Sequence, residues 1–346
     1  MPFFKRDSAT SKAPADFWTW WSSARDRIAQ AIATGRFEPS LVEEIGRAVD
    51  AIRPGMAWEL APGHVARHAF CVSPEGNAEL RQAALRWLAA APPADETWEF
   101  HASKQPARQV GPIRIGNSEF DLGEMRSIAT WDATHRRVDV RLWHPRFPDA
   151  APAVRLQVGF VFLDKLLGED DVERWIGGIE LLDGGPAGLT PAELKAEVER
   201  RANEPAAESE WVVGQLTRPD GSVGVASVNA ALKRIDHPFL DYHVTVTVVL
   251  GVDRLPNGTE AATLNAEEDD LLARLGSVAL FVGRVTTPGE RTMHFIAEVP
   301  DQMRPAIDGW AAALPDSIAP GLPARRIKVN FNRDPTWSSL KAIGIG

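Results

Sequence analysis

The chain has 346 residues, 44% hydrophobic and 25% charged. That balance supports two domains of ordinary size and excludes a disordered protein, a fibre or a disulfide-stapled miniprotein. With 38 Lys and Arg against 47 Asp and Glu the formal charge is −9, which argues against nucleic acid or an anionic membrane surface as a partner, since both attract positive charge.

The deficit is spread along the chain. Residues 1–183 hold 22 basic and 26 acidic side chains and residues 184–346 hold 16 and 21, so no basic face is implied. A single cysteine, Cys71, cannot close an internal disulfide or supply a Cys-based zinc site, and it points to a reducing cytoplasm. Residues 1–6 carry a basic pair with no apolar run of signal-peptide length behind it, and the most apolar stretch, residues 243–252, is only strand-length. Neither a leader nor a membrane span is expected.

In chain order, Asp16 caps an expected helix over residues 17–34, whose Phe17, Trp20, Trp21, Ala24, Ile28 and Ile32 recur at helical spacing before Gly35. Pro39 and Ser40 open a second helix, striped by Leu41, Ile45, Val49 and Ile52 and stopped by Pro54-Gly55. Strands follow at 56–61 and 65–72 around Pro62-Gly63, then an amphipathic helix at 77–91 and a strand at 97–104. Further strands are read at 124–131, 137–143, 154–162 and 178–182, with a short acidic helix at 169–175. Thr190-Pro-Ala-Glu193 has the form of a capping box, and the helix it opens, 191–203, is read as a solvated connector.

This gives an N-terminal α+β domain at 1–183, a linker with its connector helix at 184–209, and a C-terminal domain at 210–346. The last opens with strands at 211–217 and 223–229 about a turn at Pro219-Asp-Gly221. It continues with a strand at 243–252, a helix at 266–275, strands at 278–285 and 291–299, a helix at 301–314 and a strand at 325–332. A shift of 226 residues lays Pro62-Gly63 on Pro288-Gly289, His68 on His294 and Leu88 on Leu314. The fold expected is therefore α+β, with mainly antiparallel sheets covered by helices and a ferredoxin-like (split βαβ) unit in each domain.

Candidate chemistry is sparse. His64 and His68 lie four apart on an expected strand, about 13 Å from each other, too far to share a metal. The densest titratable cluster is Asp236-His-Pro-Phe-Leu-Asp-Tyr-His243. Its His237, Asp241 and His243 could support acid-base work or an open metal site, or could simply form a polar turn into the next strand. No nucleophile elbow, phosphate loop, dinucleotide fingerprint or zincin pattern occurs. In Phe17-Trp-Thr-Trp-Trp21, Trp18 falls off the apolar face of its helix and is a candidate partner contact.

The string Phe281-Val-Gly-Arg-Val-Thr-Thr-Pro-Gly-Glu-Arg291, followed by an apolar strand and by Asp334-Pro-Thr-Trp337, resembles a bacterial domain-of-unknown-function family. Some of its members are fused to domains resembling the protein inhibitor of ribonuclease E. Residues 17–21, 162–169 and 175–180 resemble proteins of the same group. Leu340 stands where such members commonly carry an aromatic residue. The resemblance implies an α+β fold and no assigned activity, so it supplies no active-site residues; Trp337 is a further candidate binding residue. The function expected is that of a non-catalytic, cytoplasmic interaction or regulatory protein with a protein partner and no cofactor or metal. A hydrolase working from residues 236–243 is the alternative.

Overall fold

The computed structural model describes residues 9–185, 188–205, 210–217 and 221–345. They fall into two compact units, residues 1–131 with 137–203 and residues 132–136 with 204–346. Residues 1–8, the tip of the turn at Pro219-Asp220, and positions 186–187 and 206–209 of the expected linker lie outside the described residues.

The first unit begins with α1 (Ala9–Thr34) and α2 (Pro39–Ile52). Helix α1 runs through Pro14 and starts well ahead of Asp16, so Asp16 is not its cap. The apolar spacing then acts as read. Phe17, Trp21, Ala24 and Ile28 pack with Ile45 and Val49 of α2.

Strands β1 (Ala57–Pro62) and β2 (His68–Ser73), helix α3 (Ala78–Ala89) and strand β3 (Trp98–His101) follow. Their sheet is ordered β1-β2-β3, with β1 antiparallel and β3 parallel to β2. Alternation gives this sheet two faces. Phe70, Val72, Trp98 and Phe100 join α1 and α3 in the core, and Glu59, Cys71 and His101, level in register, point to the opposite side.

Two expectations are corrected here. β2 and β3 are direct neighbours, so residues 56–104 do not form a split βαβ unit, because the small sheet holds no further strand to separate them. The shift of 226 residues is not a structural equivalence either. His68 pairs with Pro62 beside the loop of residues 63–67, whereas His294 pairs with Gly283 in mid-strand. His64 lies in that loop and not on a strand.

A hairpin of β4 (Pro112–Ile115) and β5 (Ser118–Asp121), absent from the sequence reading, turns at Gly116, whose φ is 58°. Next come β6 (Arg126–Asp132), β7 (Arg137–Trp143), α4 (Pro152–Leu167), α5 (Glu169–Trp175) and β8 (Ile176–Leu181). The sheet is ordered β6-β7-β8 with β8 parallel to β7. Strand, strand, helix and adjacent parallel strand thus occur twice inside this unit.

Helix α4 replaces the strand expected at 154–162. Val154, Leu156, Val158, Phe160 and Phe162 alternate, which is the strand signal, but Pro152 suits the first helical turn and the apolar run continues to Leu167. Burial follows the helical period through Val158, Phe162, Leu163, Leu166 and Leu167. Leu156 and Phe160 are left 46% exposed. Helix α6 (Pro191–Ala202) has the expected capping box, with Thr190 Oγ1 accepting from Glu193 N and the Glu193 carboxylate accepting from Thr190 N. It is not a solvated connector. Leu194 and Val198 are buried in the core formed by β7, β8 and α4.

The second unit opens with β9 (Trp211–Thr217) and β10 (Val223–Asn229), and continues with β11 (Tyr242–Val249), α7 (Gly258–Leu275), β12 (Leu280–Thr287), β13 (Glu290–Ala297), α8 (Arg304–Ala313) and β14 (Arg326–Arg333). All six strands form one sheet ordered β14-β11-β13-β12-β10-β9. Every neighbouring pair is antiparallel. Strands β13 and β14, joined through α8, therefore run parallel with β11 between them. Helix α7 begins earlier than expected because Asn257 and Glu260 form a reciprocal capping box. Helices α7 and α8 cover one face through Leu264, Leu271, Ile307 and Trp310 against Val244, Val246, Met293 and Phe295. The other face is covered by the C-terminal segment, with Trp337, Leu340 and Ile345 on Val228, Val282 and Ile296.

Candidate functional site

The residues singled out from the sequence separate into two places. Trp18 lies in the first unit, where its Nε1 donates to Trp87 O at 2.9 Å and its ring stacks on Trp87 with centroids 4.8 Å apart. The indole that falls off the apolar stripe is thus half-buried by α3.

His237, Asp241, His243 and Trp337 come together in the second unit. The His237 ring stacks on Trp337 at 6.1 Å with the planes 14° apart, and burial pulls its pKa down. Trp337 is buried, with φ at 56°, and donates from Nε1 to Leu240 O at 2.9 Å. Asp334 steadies this left-handed turn by accepting from the backbone N–H of Ser338 and Ser339, while its own N–H donates to Asp241 O at 2.7 Å. The Asp241 carboxylate pairs with Arg333 Nε at 3.2 Å.

His243 projects from β11 to the face opposite the helices, where its Nε2 meets His294 Nδ1 of β13 at 3.0 Å and the two rings stack. Burial lowers both pKa values. His294 falls to about 4, through burial first and the neighbouring His243 second, and the more distant Asp334 offsets only part of the effect on His243. Both rings are neutral near pH 7, and one tautomer of each suffices for the bond between them. The pair joins β11 to β13, while the bonds of Trp337 and Asp334 to Leu240 and Asp241 fasten the C-terminal segment beside the start of β11. Among the described residues, no group of three His, Cys, Asp or Glu side chains could hold a metal ion.

A different surface stands open at the end of the same sheet. β9 is the terminal strand, paired only with β10 among the described residues. The register Val225↔Gln215 and Ser227↔Val213 places Val213, Val223 and Val225 on one face. That face continues through Thr286 and Arg284 of β12 toward α7, since Ser227 and Val225 pair with those two residues and Arg284 reaches Glu268 of α7. The helices stop short of β9 and β10. Val213 is 69% exposed, and Trp211, Val212, Val223 and Val225 are also exposed. β9 contains no Pro and no charged residue, the features by which edge strands are commonly protected from pairing.

The sequence carried this signal as alternation in two short Val-rich strands. Which strand would end the sheet depended on long-range pairing that local periodicity does not encode. No family model, no curated protein and no solved structure matches the chain.

Proposed function

We propose that the protein is a non-catalytic binding protein that captures an extended segment of another polypeptide along β9, which would add as a seventh strand to the sheet. The carrying observation is the open, uncharged edge of β9 beside the exposed valines of β10. Strand addition suits such a site because backbone hydrogen bonds supply affinity and alternate side chains supply selectivity. The occupant expected is an apolar, non-acidic segment alternating β-branched residues. An uncharged edge gives an acidic segment no partner, and the charge of −9 opposes it at long range. The same charge opposes a second copy of this chain, and a single short edge offers much less than the ~800 Å² per partner that stable interfaces bury.

The strand order of β11 to β14, with α7 and α8 on one face, supports reading the second unit as a ferredoxin-like plait extended by a hairpin. A cytoplasmic setting fits the buried, unbridged Cys71. A regulatory role of the kind implied by the resemblance to proteins linked with the ribonuclease inhibitor fits capture without chemistry. The hydrolase alternative draws no support from residues 237–243, whose imidazoles are engaged by Trp337 and His294.

The test is fluorescence anisotropy with a labelled peptide of alternating Val and Thr flanked by lysines, titrated with the full chain and with Val213→Lys. Binding in the range of about 10–100 μM that weakens about tenfold in Val213→Lys is expected. No binding, or equal binding to both proteins, would overturn the proposal. So would light scattering showing a dimer that Val213→Lys dissociates, because the edge would then belong to a second copy.

A further inference from the structure

The first unit holds a cleft of about 560 Å³ on the face of the β1-β2-β3 sheet that turns away from the aromatic core. One wall comes from β1, β2 and β3 through Glu59, Ala61, Ala69, Cys71 and His101, and the other from Val161, Asp164 and Lys165 of α4 with the loop of residues 104–109. Its floor contains the Cys71 thiol, 3% exposed and without a hydrogen-bond partner among the described residues. The carboxylates of Glu59 and Asp164 line the cleft, and neither makes a hydrogen bond or ion pair among the described residues.

The other charges are already engaged or stand at the rim. Glu99 is saturated by the N–H groups of His64, Val65 and Ala66, at 2.7 Å each, and by His101 Nε2 at 3.0 Å. Lys104 Nζ pairs with Glu75 at 2.7 Å. Arg108 donates to Gly63 O, and Lys165 and Arg108 are exposed at the mouth. The cleft is thus acidic inside, basic at its rim and apolar between, where Ala61, Ala69, Val161 and Pro106 line it.

Cys71 is no nucleophile there. Burial raises its pKa, and the negative charges of Glu59, Glu169 and Asp170 raise it further, against Lys104; the thiol stays protonated at neutral pH and the attacking thiolate is scarce.

We propose that this cleft binds a small zwitterion, an amino acid or short peptide, with its ammonium group between Glu59 and Asp164, its apolar side chain over Ala69 and Val161, and its carboxylate toward Lys165 and Arg108. Two partly buried carboxylates with no ion pair among the described residues gain a charge-assisted partner from the ammonium, and a pocket of this size with few convergent polar groups suits a small ligand. The site is independent of β9.

Affinity should carry the titration of Asp164. Burial holds its carboxyl up at about 6, with Glu169, Glu75 and Glu59 acting in the same sense and Lys104 against it. His64, His101 and Arg108 complete the titratable groups that line the cleft from the facing elements, and Lys165 is the one that lines it from the helix of Asp164. An ammonium ligand needs Asp164 ionised, so binding should be full above pH 7 and weaken as the pH falls through about 6.

The experiment is isothermal titration of the full chain with leucyl-leucine, its N-acetyl derivative and its C-terminal amide at pH 7.5 and pH 5. Leucyl-leucine should bind, N-acetylation should abolish binding, amidation should weaken it, and both pH 5 and Asp164→Asn should cost about tenfold or more. Absence of binding up to about 10 mM dipeptide, equal binding of the N-acetyl form, or affinity unchanged in Asp164→Asn would overturn the proposal. Should Asp164→Asn fail to fold, the N-acetyl comparison and the pH pair on the unmodified chain still decide it. Val213→Lys should leave dipeptide binding intact, which separates failure of this site from failure of the strand edge.

Discussion

His243 and His294 form a polar contact that neutral rings satisfy, in surroundings where burial disfavours protonation of either ring. In the unfolded chain an imidazole titrates near 6.5, whereas His294 is held down at about 4. Unfolding therefore takes up a proton between those values, so stability is fully present above about pH 6.5 and declines as the pH falls toward 4. At about 1.4 kcal/mol per pKa unit, His294 alone should cost on the order of 2 kcal/mol at pH 5. The thermal midpoint should fall more steeply between pH 7 and pH 5 in the natural chain than in the double variant His243→Phe/His294→Phe; parallel profiles would contradict this. Glu99 is the opposite case. Burial works against its charge, but the N–H groups of Ala66, His64 and Val65 together with His101 outweigh it and hold the carboxyl at about 2. Its contribution is present above the ordinary carboxylate range and is lost as the pH approaches 2. Replacing Glu99 by Ala leaves three backbone donors of residues 64–66 without their acceptor, and chemical denaturation should show a loss of about 2–4 kcal/mol.

At the scale of elements, the end signals were more legible than the periods. Thr190 and Glu193 marked the start of α6 correctly, and Asn257 with Glu260 carried the same signal for α7 at a point where the apolar spacing had not yet begun. The alternation from Val154 to Phe162 pointed to a strand, because a helix with two buried ridges and an exposed Leu156 and Phe160 can mimic period two over nine residues. What decided for helix was the continuation through Leu166 and Leu167 and the close approach of Leu181 to Gly159, where a Cβ would lie 3.1 Å from Leu181 Cδ2. Exchanging Gly159 for Val should accordingly destabilise the chain, by about 1–3 kcal/mol from overpacking. Helix α6 misled through its composition. Leu194 and Val198 form a narrow stripe among charged residues, yet both are fully buried. Leu194→Ala should cost about 2–5 kcal/mol, whereas a solvated connector would tolerate it within about 0.5 kcal/mol. Urea denaturation of the variant separates the two.

At the scale of the molecule, α+β organisation and strand-rich halves could be read from turn residues and alternation, while partners within each sheet could not. His237 and Trp337, singled out for unrelated reasons a hundred positions apart, stack on one another because residues 334–345 return across the sheet. The ion pairs of Arg81 are equally non-local. Its buried guanidinium on α3 binds Asp170 and Glu173 of α5 at 2.6 Å, and Glu169 beside them accepts from Ser73 Oγ and from the N–H groups of Gly76 and Lys104. No spacing in the sequence joins residue 81 to residue 170. The open edge of β9 has the same origin, since it exists only because β10 pairs with β12 on its far side. Hydrogen–deuterium exchange on the full chain tests that edge most directly, with and without the Val-Thr peptide. Slowed exchange confined to Trp211–Thr217 and its neighbour β10, and absent in Val213→Lys, is the predicted result; unchanged exchange in β9 with protection elsewhere would contradict strand capture.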